Sequence, residues 1–423
     1  MPNPTKAHKF NYTNAIIITI LALFAAISIY NIWQGGWHYT LGDFSTYNND
    51  DVKYLRSAET LLKSGILSYR YPLTPTVFIM PGIIFALLPF VATFGQQGAV
   101  LPFKIFQIIL QTLNLFLIYK IAKHIFNKKI AIISMLISLV YVADYYASTL
   151  ILTEVIFRTL FLLLMYFSTL ALERGTAKMY IISGIIWSIA ILFRPTIAAF
   201  PAVIFIMWLI RKVPFTTMLK NGAIVLGIML VFLTPWWVRN AIVFHEFIPL
   251  TVASGNPMLQ GTYIMYDQST DDGLDYSQFE YTQNELVDDR LESAIAKFRL
   301  KNLFPANPLG YINWYTIGKT VYQWVLPFVW TPTLGLTIRQ IAIEHIIIVI
   351  AFLLGLALCL CTRDKSKWQK WYLFITILYF NCIHLPFYAF SRYIYPVMSL
   401  CIMFAAYLLY WIYKKLTLIV KAR

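Results

Sequence analysis

Charge is what this chain has least of. Only 13% of its 423 residues are charged, whereas 59% are hydrophobic. A soluble domain of that size could not keep so much apolar surface from water. Cysteine is almost absent: Cys359, Cys361, Cys382 and Cys401 all lie in or beside apolar stretches. They provide neither a disulfide framework nor a zinc spacing. Acids are also few, 19 against 34 lysines and arginines. A net charge of +15 would suit a nucleic-acid binder if it formed one patch, but the basic residues fall between apolar stretches on alternate connections. That is the positive-inside pattern, and it accounts for the excess without nucleic acid. P-loop, dinucleotide fingerprint, HExxH and GxSxG elements are all missing.

What is present is a series of apolar stretches of membrane-crossing length. They run roughly over 14–33, 76–94, 100–121, 129–143, 152–172, 178–193, 196–211, 217–238, 342–361, 369–387 and 393–413. The first lacks a small-residue cleavage site after it and reads as an uncleaved span. Basic residues cluster at Lys6/Lys9, Lys120/Lys123/Lys128/Lys129, Arg174/Lys178, Arg211/Lys212/Lys220, Arg363/Lys365/Lys367/Lys370 and the C-terminal tail. Glu173 and Asp364 are the acids among them, so both termini are expected to be cytoplasmic. Parity then requires that 76–94, with Pro81, Gly82 and Pro89, be a short, broken or re-entrant helix. About ten crossings are expected, within an all-α polytopic fold of about 10–12 helices. The Trp- and Tyr-rich stretch 312–336 reads as interfacial.

Two long regions fall outside the cytoplasm, 35–75 and 239–340. The chain thus divides into an N-terminal membrane module (1–238), an outer loop region (239–340) and C-terminal membrane helices (341–423). Residues 50–65 read as a short amphipathic helix, with Tyr54, Leu55, Ala58, Leu61 and Leu62 near one face. Asp50 and Asp51 stand at its N-terminus, where the helix dipole favours negative charge. They serve either as helix-start residues or as a surface carboxylate acting as general base or ligand of a divalent metal ion. Lys53, Arg56 and Arg70 could bind an anion such as phosphate. Asp144, Glu154, Arg158, Arg194, Arg239 and Arg392 lie at the outer ends of spans, where a charge faces a cavity or a partner. For Glu154 and Arg158 the simplest pairing is with each other, i to i+4. Arginines 194, 239 and 392 have no local partner, and either snorkel to headgroups or converge on one anion site. The acidic run 267–278 departs from a calcium loop at Asp272 and Gln278 and reads as a solvated turn. Residues 284–302 have helical periodicity and suit a helix lying over the membrane.

Five features together resemble the GT-C superfamily of polyprenyl-phosphate-sugar-dependent glycosyltransferases, in the branch of the protein O-mannosyltransferases and the lipid A aminoarabinose transferase. The first is Asp50-x-x-x-Tyr54-x-x-x-Ala58-x-x-Leu61-x-x-x-Gly65, and the second Pro81-Gly82. Thr153-Glu154 is the third. The fourth is Arg194-Pro195 with Pro235-Trp236-x-x-Arg239-Asn240, Phe247-x-Pro249 and Gly261. Ser391-Arg392-Tyr393-x-x-Pro396 completes the set. Relatives carry arginine where this chain has Lys53, and an acidic–lysine pair that is missing here.

The resemblance implies inverting transfer of a sugar from a lipid-linked phosphate, outside the cytoplasm, to a glycolipid, polysaccharide or protein acceptor. Asp50 would be the base, with Asp43 the alternative and Asp51 third. Lys53, Arg56, Arg194, Arg239 and Arg392 are the candidates for the donor phosphate, and Tyr54, Glu154 and Tyr393 for substrate contact. The style of the chain suggests a bacterial inner membrane. A transporter or flippase of a lipid-linked anion is the alternative, although no repeated halves are evident. A surface-polysaccharide polymerase would not need Asp50.

Overall fold

The computed structural model describes residues 12–269, 271–282, 284–362 and 367–422. Lys6, Lys9, Arg363, Asp364, Lys365 and Arg423 lie outside them. Among the described residues the molecule is helical, with one isolated bridge between Thr333 and Leu336. The N-terminal part comprises α1 (Tyr12–Gly35), α2 (Asp50–Ser64), α3 (Gly82–Gly98), α4 (Val100–Ile125), α5 (Lys128–Val140), α6 (Val142–Thr149), α7 (Glu154–Arg174) and α8 (Ala177–Phe193). Then come α9 (Pro201–Ile210), α10 (Phe215–Phe244), α11 (Gly255–Gly261), α12 (Glu285–Leu303), α13 (Pro308–Asn313) and α14 (Lys319–Val325). The chain closes with α15 (Ile338–Cys361), α16 (Lys367–His384), α17 (Ser391–Ile394) and α18 (Met398–Ala422).

Six of these segments are long and apolar enough to cross a membrane: α1, α4, α7, α10, α15 and the 391–421 run. The bent pair α5–α6 makes a seventh. Shorter apolar helices occupy Gly82–Gly98, Ala177–Phe193 and Pro195–Ile210. The protein is therefore an integral membrane protein. Its centre is built on α7 and α18, which the other helices cover most fully, while α1, α10 and α15 stand at the periphery. Gly355 lets α15 meet α18: a Cβ there would sit 2.0 Å from the Phe404 carbonyl oxygen.

Residues 76–81 are not helical; α3 starts at Gly82, contains Pro89, breaks at Gly95 (φ 70°, ψ 177°) and leads straight into α4. Gly82 is required by packing, since a Cβ would approach the Leu192 carbonyl oxygen to 2.5 Å. The other break, at Tyr141, bends α5 from α6 by 56°. An amide freed at membrane depth must find a partner. The Glu344 carboxylate accepts the Val142 N–H at 3.2 Å, and the Tyr141 hydroxyl bonds His345 Nδ1 at 3.0 Å. The aromatic stretch 312–336 folds into α13, a π-helical turn at Trp314–Gly318, α14 and an irregular segment.

The expected Glu154–Arg158 pair does not form. Arg158, fully buried, pairs with Asp144 of α6 and also bonds the Tyr395 and Ser399 hydroxyls, each at 2.8 Å. Tertiary geometry offers Arg158 a closed polar nest, and i,i+4 proximity, worth only about 0.2–0.5 kcal/mol, does not compete.

Candidate active site

Helix α2 carries the first component. Asn49 caps it, its side chain accepting the Asp50 N–H at 2.7 Å, and Gly65 ends it in the left-handed conformation (φ 72°). Val52, Tyr54, Leu55 and Ala58 form the buried face, whereas Leu62 is exposed at the far end. This places Asp50 at the positive end of the helix dipole. Its Oδ1 accepts the Tyr69 hydroxyl at 2.5 Å, and its Oδ2 accepts Arg392 Nη1 at 3.2 Å. Burial alone would raise the Asp50 carboxyl, but the Arg392 charge and the Tyr69 hydrogen bond hold it below the usual carboxylate range.

Glu154, first residue of α7, carries the second. It is 1% exposed and receives two arginines, Arg194 and Arg392, as ion pairs. Arg194 closes α8, where Pro195 forces the preceding residue out of the helical region (φ −143°, ψ 113°). Its Nε also donates to Thr153 Oγ1 at 3.0 Å. Arg392 comes from α17, so three separated segments meet at one end of the bundle. Arg392 bridges Glu154 and Asp50. The Asp50 side chain remains 35% exposed, which makes it the accessible carboxylate of the two. Tyr393 stacks on His384 with ring centroids 4.9 Å apart, and the Arg194 guanidinium lies 5.9 Å from the Tyr393 ring.

The remaining candidates are distributed around this centre. The Tyr54 ring is buried, 5.6 Å from that of Tyr69, with its hydroxyl pushed up by burial. The Lys53 ammonium lies 5.7 Å from the Tyr69 ring centroid. Arg56 donates to the Tyr69 and Arg70 carbonyls at 2.8 and 3.0 Å and covers the Tyr47 ring, so it braces the loop after α2. Arg239 likewise donates to the Thr76 carbonyl at 2.7 Å, and it lines an apolar cavity of about 320 Å³ with Leu61, Phe85, Leu192 and Trp236. Asp43 is exposed and accepts the Ser45 N–H at 2.7 Å, an Asx turn. Asp51 is buried and accepts three backbone amides, those of Leu41, Gly42 and Val52. Burial raises the Asp51 carboxyl in spite of those bonds.

Tyr69, His384 and Trp330 were not singled out in the sequence. Only Tyr69 had a local signal, in the aromatic and basic run Tyr69-Arg70-Tyr71 between α2 and Pro81. Trp330 lies 6.0 Å from the Arg392 guanidinium. Among the described residues no group of three or more His, Cys, Asp or Glu could hold a metal ion. Asp50 and Glu154 are each engaged by arginine, so this donor set does not fit a divalent cation.

Residues 75–238 match the family model described as dolichyl-phosphate-mannose-protein mannosyltransferase. Among solved structures the chain is similar to the apo oligosaccharyltransferase of Archaeoglobus fulgidus, with 12% identity and a TM-score of 0.60 over 99% of this chain and 52% of that one. It is also similar to the AglB oligosaccharyltransferase of the same organism in complex with an inhibitory peptide and a dolichol-phosphate (12% identity, TM-score 0.59, 97% of this chain and 51% of that one). A looser likeness is to ArnT from Cupriavidus metallidurans bound to undecaprenyl phosphate (12% identity, TM-score 0.43, 93% of this chain and 77% of that one). The chain thus has the GT-C membrane fold and spans about half the length of the archaeal enzymes. No curated protein matches it.

Proposed function

We propose that the protein is a membrane glycosyltransferase that moves a sugar from a polyprenyl-phosphate donor to a hydroxyl outside the cytoplasm, with inversion. The observation that carries the reading is the bridge of Arg392 between an accessible Asp50 and a buried Glu154, on a GT-C fold. The AglB complex with dolichol-phosphate and the mannosyltransferase family match over 75–238 support a lipid-phosphate donor.

Asp50 takes the proton of the acceptor hydroxyl as its oxygen attacks the anomeric carbon. The bond from that carbon to the phosphate oxygen breaks, and its electron pair leaves with the phosphate. Arg392 is the residue best placed to neutralise that oxygen, since it already faces the outer carboxylate. A resting Asp50 with a depressed pKa is a weak base. A phosphate that draws Arg392 away removes the charge holding that pKa down, so donor binding would strengthen the base. Glu154 keeps Arg194 and Arg392 oriented, and its own burial forbids direct access to acceptor.

The test uses purified protein and radiolabelled polyprenyl-phosphate sugars, following release of sugar from lipid. Asp50→Asn is expected to lose roughly 10²- to 10⁴-fold in rate while remaining folded, and Asp43→Asn is expected to match wild type. Failure of Asp43→Asn alone would move the base to Asp43. No turnover across a broad donor panel with acceptors present would sink the transferase reading.

A further inference from the structure

Arg392 follows a stretch with no regular structure of its own, residues 385–390, between the end of α16 at His384 and the start of α17 at Ser391. Ala389 in that stretch is 1% exposed. A buried peptide group needs partners for its N–H and its C=O, and here no helix ladder supplies them. One side chain from a distant part of the chain meets both. The Tyr266 hydroxyl accepts the Ala389 N–H at 2.6 Å and donates to the Ala389 carbonyl at 3.0 Å.

Tyr266 ends a short turn, Ile264–Tyr266, that follows α11, and both it and Met265 are held in the left-handed region (φ 58° each). That backbone is costly for a residue with a Cβ, and two in succession persist only where the surroundings impose them. The Tyr266 ring is fixed by three others, lying 4.8 Å from Trp314, 5.1 Å from Tyr322 and 4.2 Å from Tyr388. The rest of the stretch is held by the same outer region. Lys319 Nζ donates to the Leu385 carbonyl at 2.8 Å, and Ser391 Oγ to the Pro327 carbonyl at 3.3 Å. Aromatic packing alone would seat the Tyr266 ring without its hydroxyl. The hydroxyl instead places both of its bonds on one peptide, three residues ahead of Arg392.

We propose that Tyr266 is a positioning residue for Arg392: by fixing the Ala389 peptide it sets where α17 begins, and so where the guanidinium sits between Glu154 and Asp50. The inference rests on the transferase reading, in which Arg392 receives the donor phosphate. The arrangement is sensitive to such control. The Arg392 bond to Asp50, at 3.2 Å, is already at the long end of the hydrogen-bond range, so a small displacement of α17 breaks it. The 264–266 turn thus takes part in the reaction through the segment it holds, not through contact with substrate.

The test is equilibrium binding of polyprenyl phosphate, the leaving group of the proposed donor, to the purified full chain, with no turnover required. Tyr266→Phe keeps the ring and removes the hydroxyl, and should weaken binding about tenfold. Tyr322→Phe removes a hydroxyl from the same cluster, one that reaches the Met265 carbonyl at 3.3 Å, and should bind as wild type does. In an Arg392→Gln background Tyr266→Phe should have no further effect, because Tyr266 acts through Arg392. A general loosening of the fold would weaken both backgrounds alike. The proposal is overturned by a Tyr266→Phe variant that binds like wild type, or by a loss that persists in the Arg392→Gln background. An equal loss in Tyr322→Phe would assign the effect to the aromatic cluster and overturns it too. Wild type that binds no polyprenyl phosphate would instead sink the transferase reading, and this proposal with it.

Discussion

Asp50 presents one oxygen to Tyr69 and the other to Arg392, whereas the oxygens of its neighbour Asp51 are taken by the amides of Leu41, Gly42 and Val52. Adjacent helical positions point about 100° apart, and that rotation gives the two carboxylates different work. Asp51→Asn removes acceptor capacity from a loop clamp, so its expected effect is a lower Tm with activity retained in the folded fraction, read by thermal melt and donor turnover. Asp50 has its folded pKa below its unfolded value. Its charged form therefore contributes stability above the unfolded pKa, near 3.9, and that contribution is lost as pH falls through the lower folded value. On the proposed mechanism, the same shift should place the acid limb of kcat/KM below the ordinary carboxylate range. Tyr69→Phe deletes a donor that favours the carboxylate, and should move that limb upward with kcat/KM reduced several-fold. An unchanged limb would show that Tyr69 does not hold Asp50.

At the scale of elements, the close approaches are the sensitive points. Gly355→Ala places a Cβ 2.0 Å from the Phe404 carbonyl oxygen. Backbone has no rotamer to yield, so α15 must move away from α18, at about 1–3 kcal/mol or more. A lower Tm in detergent, without change in donor binding, is the expected result. Most helices were legible in the sequence because membrane crossing demands long apolar runs. Glu154, Arg194 and Arg392 were visible as charges at span ends. Their common meeting point was not, since it depends on packing α7 against α8 and bringing α17 over both. For the same reason Arg158 was matched to the wrong acid: Glu154 is its sequence neighbour, but Asp144 reaches it only after α5 and α6 bend apart. Tyr69 and Trp330 belong to irregular segments, where neither period nor cap indicates which way a side chain points.

At the scale of the whole molecule, the Asp144–Arg158 pair ties α6, α7 and the Tyr395 segment together in a dry interior. Breaking it from one side leaves a bare charge, so Asp144→Asn or Arg158→Met is each expected to cost roughly 3–5 kcal/mol, whereas the double replacement should recover much of that. Chemical denaturation in detergent would measure this, and additive single effects would contradict it. Orientation is the other global property. The sequence places the Lys120–Lys129 connection in the cytoplasm by its charge, while the structure puts the α2 loop at the opposite end of α4 from that connection. In a cysteine-free background, Ser45→Cys should react with a membrane-impermeant maleimide on intact cells, and Lys128→Cys only after permeabilisation. The reverse pattern would set Asp50 on the cytoplasmic face, where the acceptor side of the proposed reaction could not be. The labelling thus tests the charge rule and the transferase reading with one pair of substitutions, neither of which touches the Asp50–Arg392–Glu154 centre.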